Sequence, residues 1–301
     1  MQSSLDLFAS QLSTRSTGWL HSFADLTKFR IVLLSTLSTL TGYLVFARRV
    51  DAGVLTSSLG VLLTAMGASV LNQFQDRDLD GRMSRTKGRP IPTGILHPYV
   101  ALLIAVFLIA SGSLLLWVRH NQMAALIALG AVAWYNLLYT YLKRIWAFAV
   151  VPGAVIGALP PVIGWTAAGG SPLAPHILGL AFFFFMWQVP HFWLLLFRYG
   201  EDYTRAGLPS LTTLFSTRQL VRLTSAWVLS TGATSLLLPL FLLGSSPWIV
   251  AGLILSGLWL MWEAVRLMQP ARHSGFCQNP FRWINLYALM VMCLLITDAL
   301  L

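Results

Sequence analysis

Asn72, Asp76 and Asp80 recur at every fourth residue, just ahead of Arg82, Arg85, Lys87 and Arg89. On a helix this spacing stacks three side chains on one face. Asp78 would lie about 200° round from Asp76, on the opposite face. The aspartates therefore divide into a pair and a singleton. Two carboxylates one turn apart repel each other, and aspartate near a helix C-terminus is mildly unfavourable. A solvated helix end explains the polarity but not the stacking. A divalent cation shared with an anionic ligand explains both: Mg2+ takes one or two carboxylates and completes its octahedron with water and phosphate oxygens. The basic residues beyond Asp80 would then neutralise phosphate. Orientation of the chain in a membrane is the other reading of those charges.

Further along, Tyr139 and Lys143 share a helical face, and Lys143 is placed either to reach a phosphate or to snorkel from an aromatic belt. Trp187, Gln188, Pro190, His191 and Trp193 sit together in an apolar run. A histidine there is costly unless it has a role or a partner. Three roles stay open for His191: ligand, proton donor, or hydrogen-bond partner of a carbonyl freed by Pro190. Arg198, Glu201, Asp202 and Arg205 come next, in what reads as a compact charged turn.

These groups need elements to position them, and the composition says which. Of 301 residues, 56% are hydrophobic and only 10% are charged, far below the roughly one quarter of a soluble domain. The class is an all-α polytopic membrane bundle. Nine spans are expected, at roughly 30–47, 53–74, 98–117, 122–140, 148–167, 175–196, 220–243, 247–268 and 281–301. The two long polar connections, 75–97 and 197–219, come after the second and sixth spans. With the N-terminus inside, every Lys and Arg except Arg48, Arg49 and Arg119 falls in a cytoplasmic segment. The positive-inside rule then places the N-terminus in the cytoplasm and the C-terminus outside. The net charge of +10 is thus distributed between topology and an anionic substrate, and nucleic acid is not the expected partner. Residues 1–27 read as a cytoplasmic tail, with Trp19, Leu20, Phe23 and Leu26 able to lie on the membrane as an interfacial helix. They have neither a secretory signal pattern nor a transit-peptide pattern. Residues 28–301 form the transmembrane domain. Cys277 and Cys293 sit in no metal or redox spacing.

Several motifs agree in order and spacing with one family. Asn72-x3-Asp76-x3-Asp80 after a second span resembles the first aspartate-rich motif of the UbiA-type intramembrane prenyltransferases. Arg85-Thr86-Lys87-x-Arg89-Pro90, the stretch Gly157 to Trp165 around Pro160-Pro161, Pro190-His191-Phe192-Trp193, and Asp202-Tyr203-x-Arg205-Ala206-Gly207-x-Pro209 resemble the branch that farnesylates protohaem IX. The resemblance covers roughly residues 25–300. It implies a nine-helix fold and transfer of the farnesyl group of farnesyl diphosphate to a vinyl group of protohaem, giving haem O and diphosphate. It implies that Asp76 and Asp80, with Asn72, hold Mg2+. Lys143 and Arg205 would act on the departing diphosphate, with Arg85, Lys87, Arg89, Tyr139 and Arg198 as further contacts. His191, Trp187 and Trp193 become candidate haem contacts, and Asp202 a further metal contact. A bacterial inner membrane and contact with haem A synthase or oxidase assembly proteins are also implied.

The chain departs from the family pattern in two places. Gln73 stands where many relatives carry Asp, and the second acidic motif thins to Glu201 and Asp202, which leaves a second Mg2+ open. The thinned motif weighs against an aromatic acceptor such as a hydroxybenzoate or naphthoate. A transporter of an anionic metabolite is the alternative of another class. Its ions would be expected near the midplane between broken helices, whereas these carboxylates gather at one end.

Overall fold

The computed structural model describes residues 18, 20–269 and 279–301, and the regular structure among them is helical. Nine helices among the described residues are long and apolar enough to cross a membrane. We number them α1 (Phe29–Ala47), α2 (Ala52–Asp80), α3 (Pro98–Arg119), α4 (Gln122–Leu142), α5 (Val150–Ala167), α6 (Pro175–Arg205), α7 (Thr217–Phe241), α8 (Pro247–Leu267) and α9 (Pro280–Leu300). Each falls on one of the expected spans.

Successive helices pack side by side, and the ring closes because α9 returns to α1, which also packs along α2 and α5. Outward faces carry large apolar residues such as Leu103, Phe107, Leu114 and Trp117, as a lipid-facing surface requires. Inward contacts rest on small residues, because without a hydrophobic drive between helices van der Waals packing must bring backbones close. At α1 and α5 a Cβ on Gly164 would overlap the carbonyl of Thr39, and one on Gly42 would overlap that of Pro161. Gly60 and Gly112 allow a similar approach between α2 and α3.

Two helices overrun the membrane. α2 has 29 residues and α6 has 31, about 43–46 Å at 1.5 Å per residue against roughly 30 Å of hydrocarbon. The expectation of a compact turn from Arg198 onward is corrected here. That segment stays helical to Arg205, and the chain turns only after it, at Gly207 with φ 77°. Nothing between Phe197 and Arg205 breaks a helix, since Gly200 is tolerated and the charges lie beyond the apolar region.

The N-terminal segment packs against the bundle. Residues 20–27 are helical. Leu26 is buried, and Phe23 packs with it against Met66, Val70, Ile91 and Ala101. Leu20 is exposed; Trp19 and Cys277 lie outside the described residues.

Candidate functional site

The overrun of α2 builds the first half of the site. Because the helix continues to Asp80, Asn72, Asp76 and Asp80 share its inner face and are all buried, while the Asp78 side chain is 80% exposed. Asp76 is the hub. Its Oδ2 accepts from Asn72 Nδ2 at 2.9 Å and from Lys143 Nζ, and its Oδ1 accepts from Arg144 at 3.1 Å. Asp80 Oδ2 accepts from Arg89 at 2.7 Å. The intervening loop folds back on itself: Thr86 donates its hydroxyl to the Asp80 carbonyl at 2.9 Å, which seats Arg89.

α4 supplies the opposing wall through a local defect. Trp134–Tyr139 is a π-helical turn, a feature common at functional sites. It is held by Asn136, whose amide donates to the Ala68 carbonyl at 3.1 Å and to Gln75 Oε1 at 3.0 Å. The extra residue in the turn lets Thr140 meet Asn72 at 3.0 Å, with Lys143 one turn further on. Tyr139 and Lys143 do share a face, with the ammonium 5.9 Å from the ring centroid. Tyr139 lies over Gly153, where a Cβ would collide with the ring.

The overrun of α6 brings the second motif to the first. Leu79, Met83, Tyr203, Ala206 and Leu208 pack together, and Asp202 Oδ2 accepts from the Arg85 backbone N–H at 3.2 Å. Asp202 is turned inward, at 13% side-chain exposure, whereas Glu201 is 88% exposed. Arg205 spends its guanidinium on Glu201 at 2.9 Å and approaches Asp202 at 3.9 Å. The Arg85 and Arg198 guanidiniums each lie 5.3 Å from the Tyr199 ring centroid. Lys87 is exposed. The structure thus assembles Asn72, Asp76, Asp80, Arg89, Tyr139 and Lys143, with Asp202 at the edge. It leaves Lys87, Arg198 and Arg205 on the surface around them.

The three aromatic candidates on α6 do not form one set. His191 and Trp187 share a face, 4.6 Å between centroids, and His191 lies 4.8 Å from Phe281. His191 Nδ1 is buried without a hydrogen-bond partner. Trp193 faces elsewhere: it is fully buried between Phe148 and Trp227. Two residues later on a helix is about 200° round, and that rotation separates it from His191.

Two site residues escaped the sequence reading. Arg144 holds Asp76 and the Gln75 carbonyl, the latter at 2.7 Å. Lys28 donates to Asn72 Oδ1 at 3.1 Å and to the Tyr135 hydroxyl at 3.2 Å. Burial, with the charges of Arg89 and Lys143 nearby, pushes its ammonium down to about 7. Both residues had read as topology signals, because nothing in the sequence marks a contact across such separations.

A hard, oxygen-seeking cation fits this donor set. The inward donors are two carboxylates, an amide oxygen and the nearby Asp202, with no thiol or imidazole among them. Among the described residues no three acidic, histidine or cysteine side chains form a full ligand cage. A cation bound here needs a ligand to complete its shell, as Mg2+ does with phosphate. Lys143, Arg144 and Arg89 now sit on the carboxylate oxygens, the places where such a cation would bind.

A sequence model of the UbiA prenyltransferase family matches residues 35–286. A protein of Geobacter sulfurreducens named protoheme IX farnesyltransferase is 42% identical over 75% of this chain and 86% of its own length. One of Oleidesulfovibrio alaskensis with the same name is 35% identical over 93% of this chain and 97% of its own. Among solved structures, one from a study of digeranylgeranylglyceryl phosphate synthase shares the fold at a TM-score of 0.75 and 16% identity, covering 93% of this chain and 98% of that one. A UbiA homologue from Archaeoglobus fulgidus bound to GPP and Mg2+ does so at 0.67 and 15%, covering 92% and 98%.

Proposed function

The chain belongs to the UbiA prenyltransferase family, and from that we propose that it farnesylates protohaem IX, giving haem O and diphosphate. It is a multi-pass membrane enzyme. The observation that carries the reading is identity of 35% across 93% of the chain to a protein named for this reaction. That name favours a haem acceptor over an aromatic acid, and it favours catalysis over transport.

The buried carboxylate face then has a definite task. Asp76 and Asp80, with Asn72, would hold Mg2+, which would supply positive charge for the diphosphate of farnesyl diphosphate. Asp202 borders that site from α6, and the outward Glu201 argues against a second full metal site. When bound, Mg2+ offsets charge that grows on the diphosphate as the allylic C–O bond breaks. Lys143, Arg144 and Arg89 exchange their carboxylate partners for phosphate oxygens, so fixed cations face the leaving group as its charge develops. Arg85, Lys87, Arg198 and Arg205, exposed around the carboxylate face, draw the polyanion in. Tyr135 and Tyr139, ring centroids 5.9 Å apart, present aromatic faces that shelter an allylic cation. The vinyl carbon bonds to farnesyl C1, and water adds at the neighbouring carbon with loss of one proton, leaving a hydroxyethyl farnesyl side chain. His191 and Trp187 are the haem-contact residues in this reading. The orientation is N-terminus in the cytoplasm, in a bacterial inner membrane.

The test is direct. Purified protein in detergent is incubated with protohaem, farnesyl diphosphate and Mg2+, and the haems are read by mass spectrometry. A Mg2+-dependent farnesylated hydroxyethyl haem is expected. Its absence, with folded protein and bound haem verified, would overturn the proposal.

A further inference from the structure

The N-terminal segment is tied to the site by a residue with no assigned task. Gln73 comes directly after Asn72 on α2 and has no exposed surface. Its Nε2 donates to the carbonyls of Asp25 at 2.8 Å and Leu26 at 2.9 Å. These are carbonyls at the C-terminal end of the helical stretch 20–27, and that of Asp25 also accepts from the Lys28 backbone N–H at 3.3 Å. Only a donor can do this. A carboxylate at position 73 would have no proton to give and would repel both oxygens.

The helix breaks just past the anchored carbonyls. Leu26 and Thr27 are buried, and Lys28 then adopts φ 51° and ψ 41°, the left-handed region that a residue with a Cβ rarely enters. Such a conformation persists where its surroundings fix it. α1 begins directly after this residue, and the Lys28 ammonium lies between Asn72 and Tyr135. Lys143, Arg144 and Arg89 each have a carboxylate. Lys28 has two neutral acceptors, on the rim of a cluster that already holds other cations. The carboxylates of Asp76 and Asp80 act on this ammonium only from a distance, and a polyanionic ligand supplies a direct anionic partner.

We infer that Gln73 is a positioning residue that pins the N-terminal segment and thereby presents Lys28 to the diphosphate of the prenyl donor. This rests on the reading that the Asn72–Asp76–Asp80 face receives Mg2+ and diphosphate. Asn72 is the shared point: one face of α2 holds the metal ligands, and the neighbouring residue holds the chain that delivers a further cation to them.

The experiment measures binding of farnesyl diphosphate with Mg2+, and separately of protohaem, to full-length protein by titration calorimetry in detergent. Gln73→Met keeps the volume and removes the donor. It and Lys28→Met are each expected to weaken farnesyl diphosphate binding about tenfold, the scale of one hydrogen bond to a charged group. Protohaem binding should be unchanged, Lys28→Arg should recover most of the loss, and the double variant should be no weaker than Lys28→Met alone. Losses that multiply in the double variant, or weakened binding of both ligands alike, would overturn the link. Unchanged binding in Lys28→Met overturns it even if Gln73→Met cannot be purified folded. Asp76→Asn separates the two levels. If it abolishes binding while Gln73→Met and Lys28→Met do not, this inference alone fails. If it too leaves binding intact, the site reading fails and takes the inference with it.

Discussion

At the scale of single residues, burial sorts charges that the sequence shows as one cluster. Asp76 and Asp80 are nearly sealed, and Asp78, two residues from each, is in solvent. Asp76→Asn and Asp80→Asn are each expected to cut turnover more than about tenfold, a loss of about 1.4 kcal/mol or more in transition-state stabilisation. Asp78→Asn should cost much less. Steady-state rates of haem farnesylation check this, and equal losses at all three would sink the division by face. The pair was legible because four-residue spacing on a helix fixes a face regardless of what packs there. Arg144 was not, since its contact to Asp76 spans 68 residues of sequence. Arg144→Gln should lower turnover roughly tenfold, as for loss of a charge-assisted hydrogen bond at a developing charge. Arg222→Gln, at an exposed position on α7, should change it less than about twofold. If the two behave alike, Arg144 is only a topology signal.

At the scale of elements, hydropathy located each of the nine long apolar helices but not where the polar ends stop. A membrane window measures transfer to hydrocarbon, and the last turns of α2 and α6 lie beyond it. Their helical continuation is fixed by contacts the window does not sense: Thr86 on Asp80, and Leu79 with Met83 against Tyr203 and Ala206. The π-turn of α4 was equally hidden, because its cause is Asn136 reaching α2. The small residues of α5 were legible as close packing, and the structure names their neighbour. Gly164→Ala would drive a Cβ into the Thr39 backbone, which cannot swing aside as a side chain can. A cost of about 1–3 kcal/mol is expected, read as a fall of several degrees in the unfolding midpoint in detergent. Gly130→Ala on α4 meets nothing within 4 Å and should hold or raise the midpoint, since alanine favours helix. Equal falls at both would remove the close-packing account of α1 against α5.

At the scale of the whole molecule, site and charge bias coincide, and this is why the sequence alone could not divide them. Among the described residues, the end of the bundle that holds Asp76 also holds nearly every Lys and Arg, so each of those residues is one that the positive-inside rule would place there whatever else it does. The structure separates the roles by direction: Lys28, Arg89, Lys143 and Arg144 turn toward the carboxylate face, while Arg85, Lys87 and Arg198 stay at the surface. Orientation can therefore be tested without touching the site. With Cys277 and Cys293 replaced, single cysteines are introduced as Ser84→Cys, in the exposed loop after α2, and Ser171→Cys, in the exposed connection between α5 and α6. α3, α4 and α5 separate the two loops, and three crossings put them on opposite faces. In intact spheroplasts an impermeant maleimide should label Ser171→Cys at once and Ser84→Cys only after lysis. That pattern would place the carboxylate end, and hence the diphosphate it receives, on the cytoplasmic side. The reverse would mean that the basic residues gather at that end for the substrate alone and against the rule that normally sets topology. Labelling of both before lysis would break the crossing count itself.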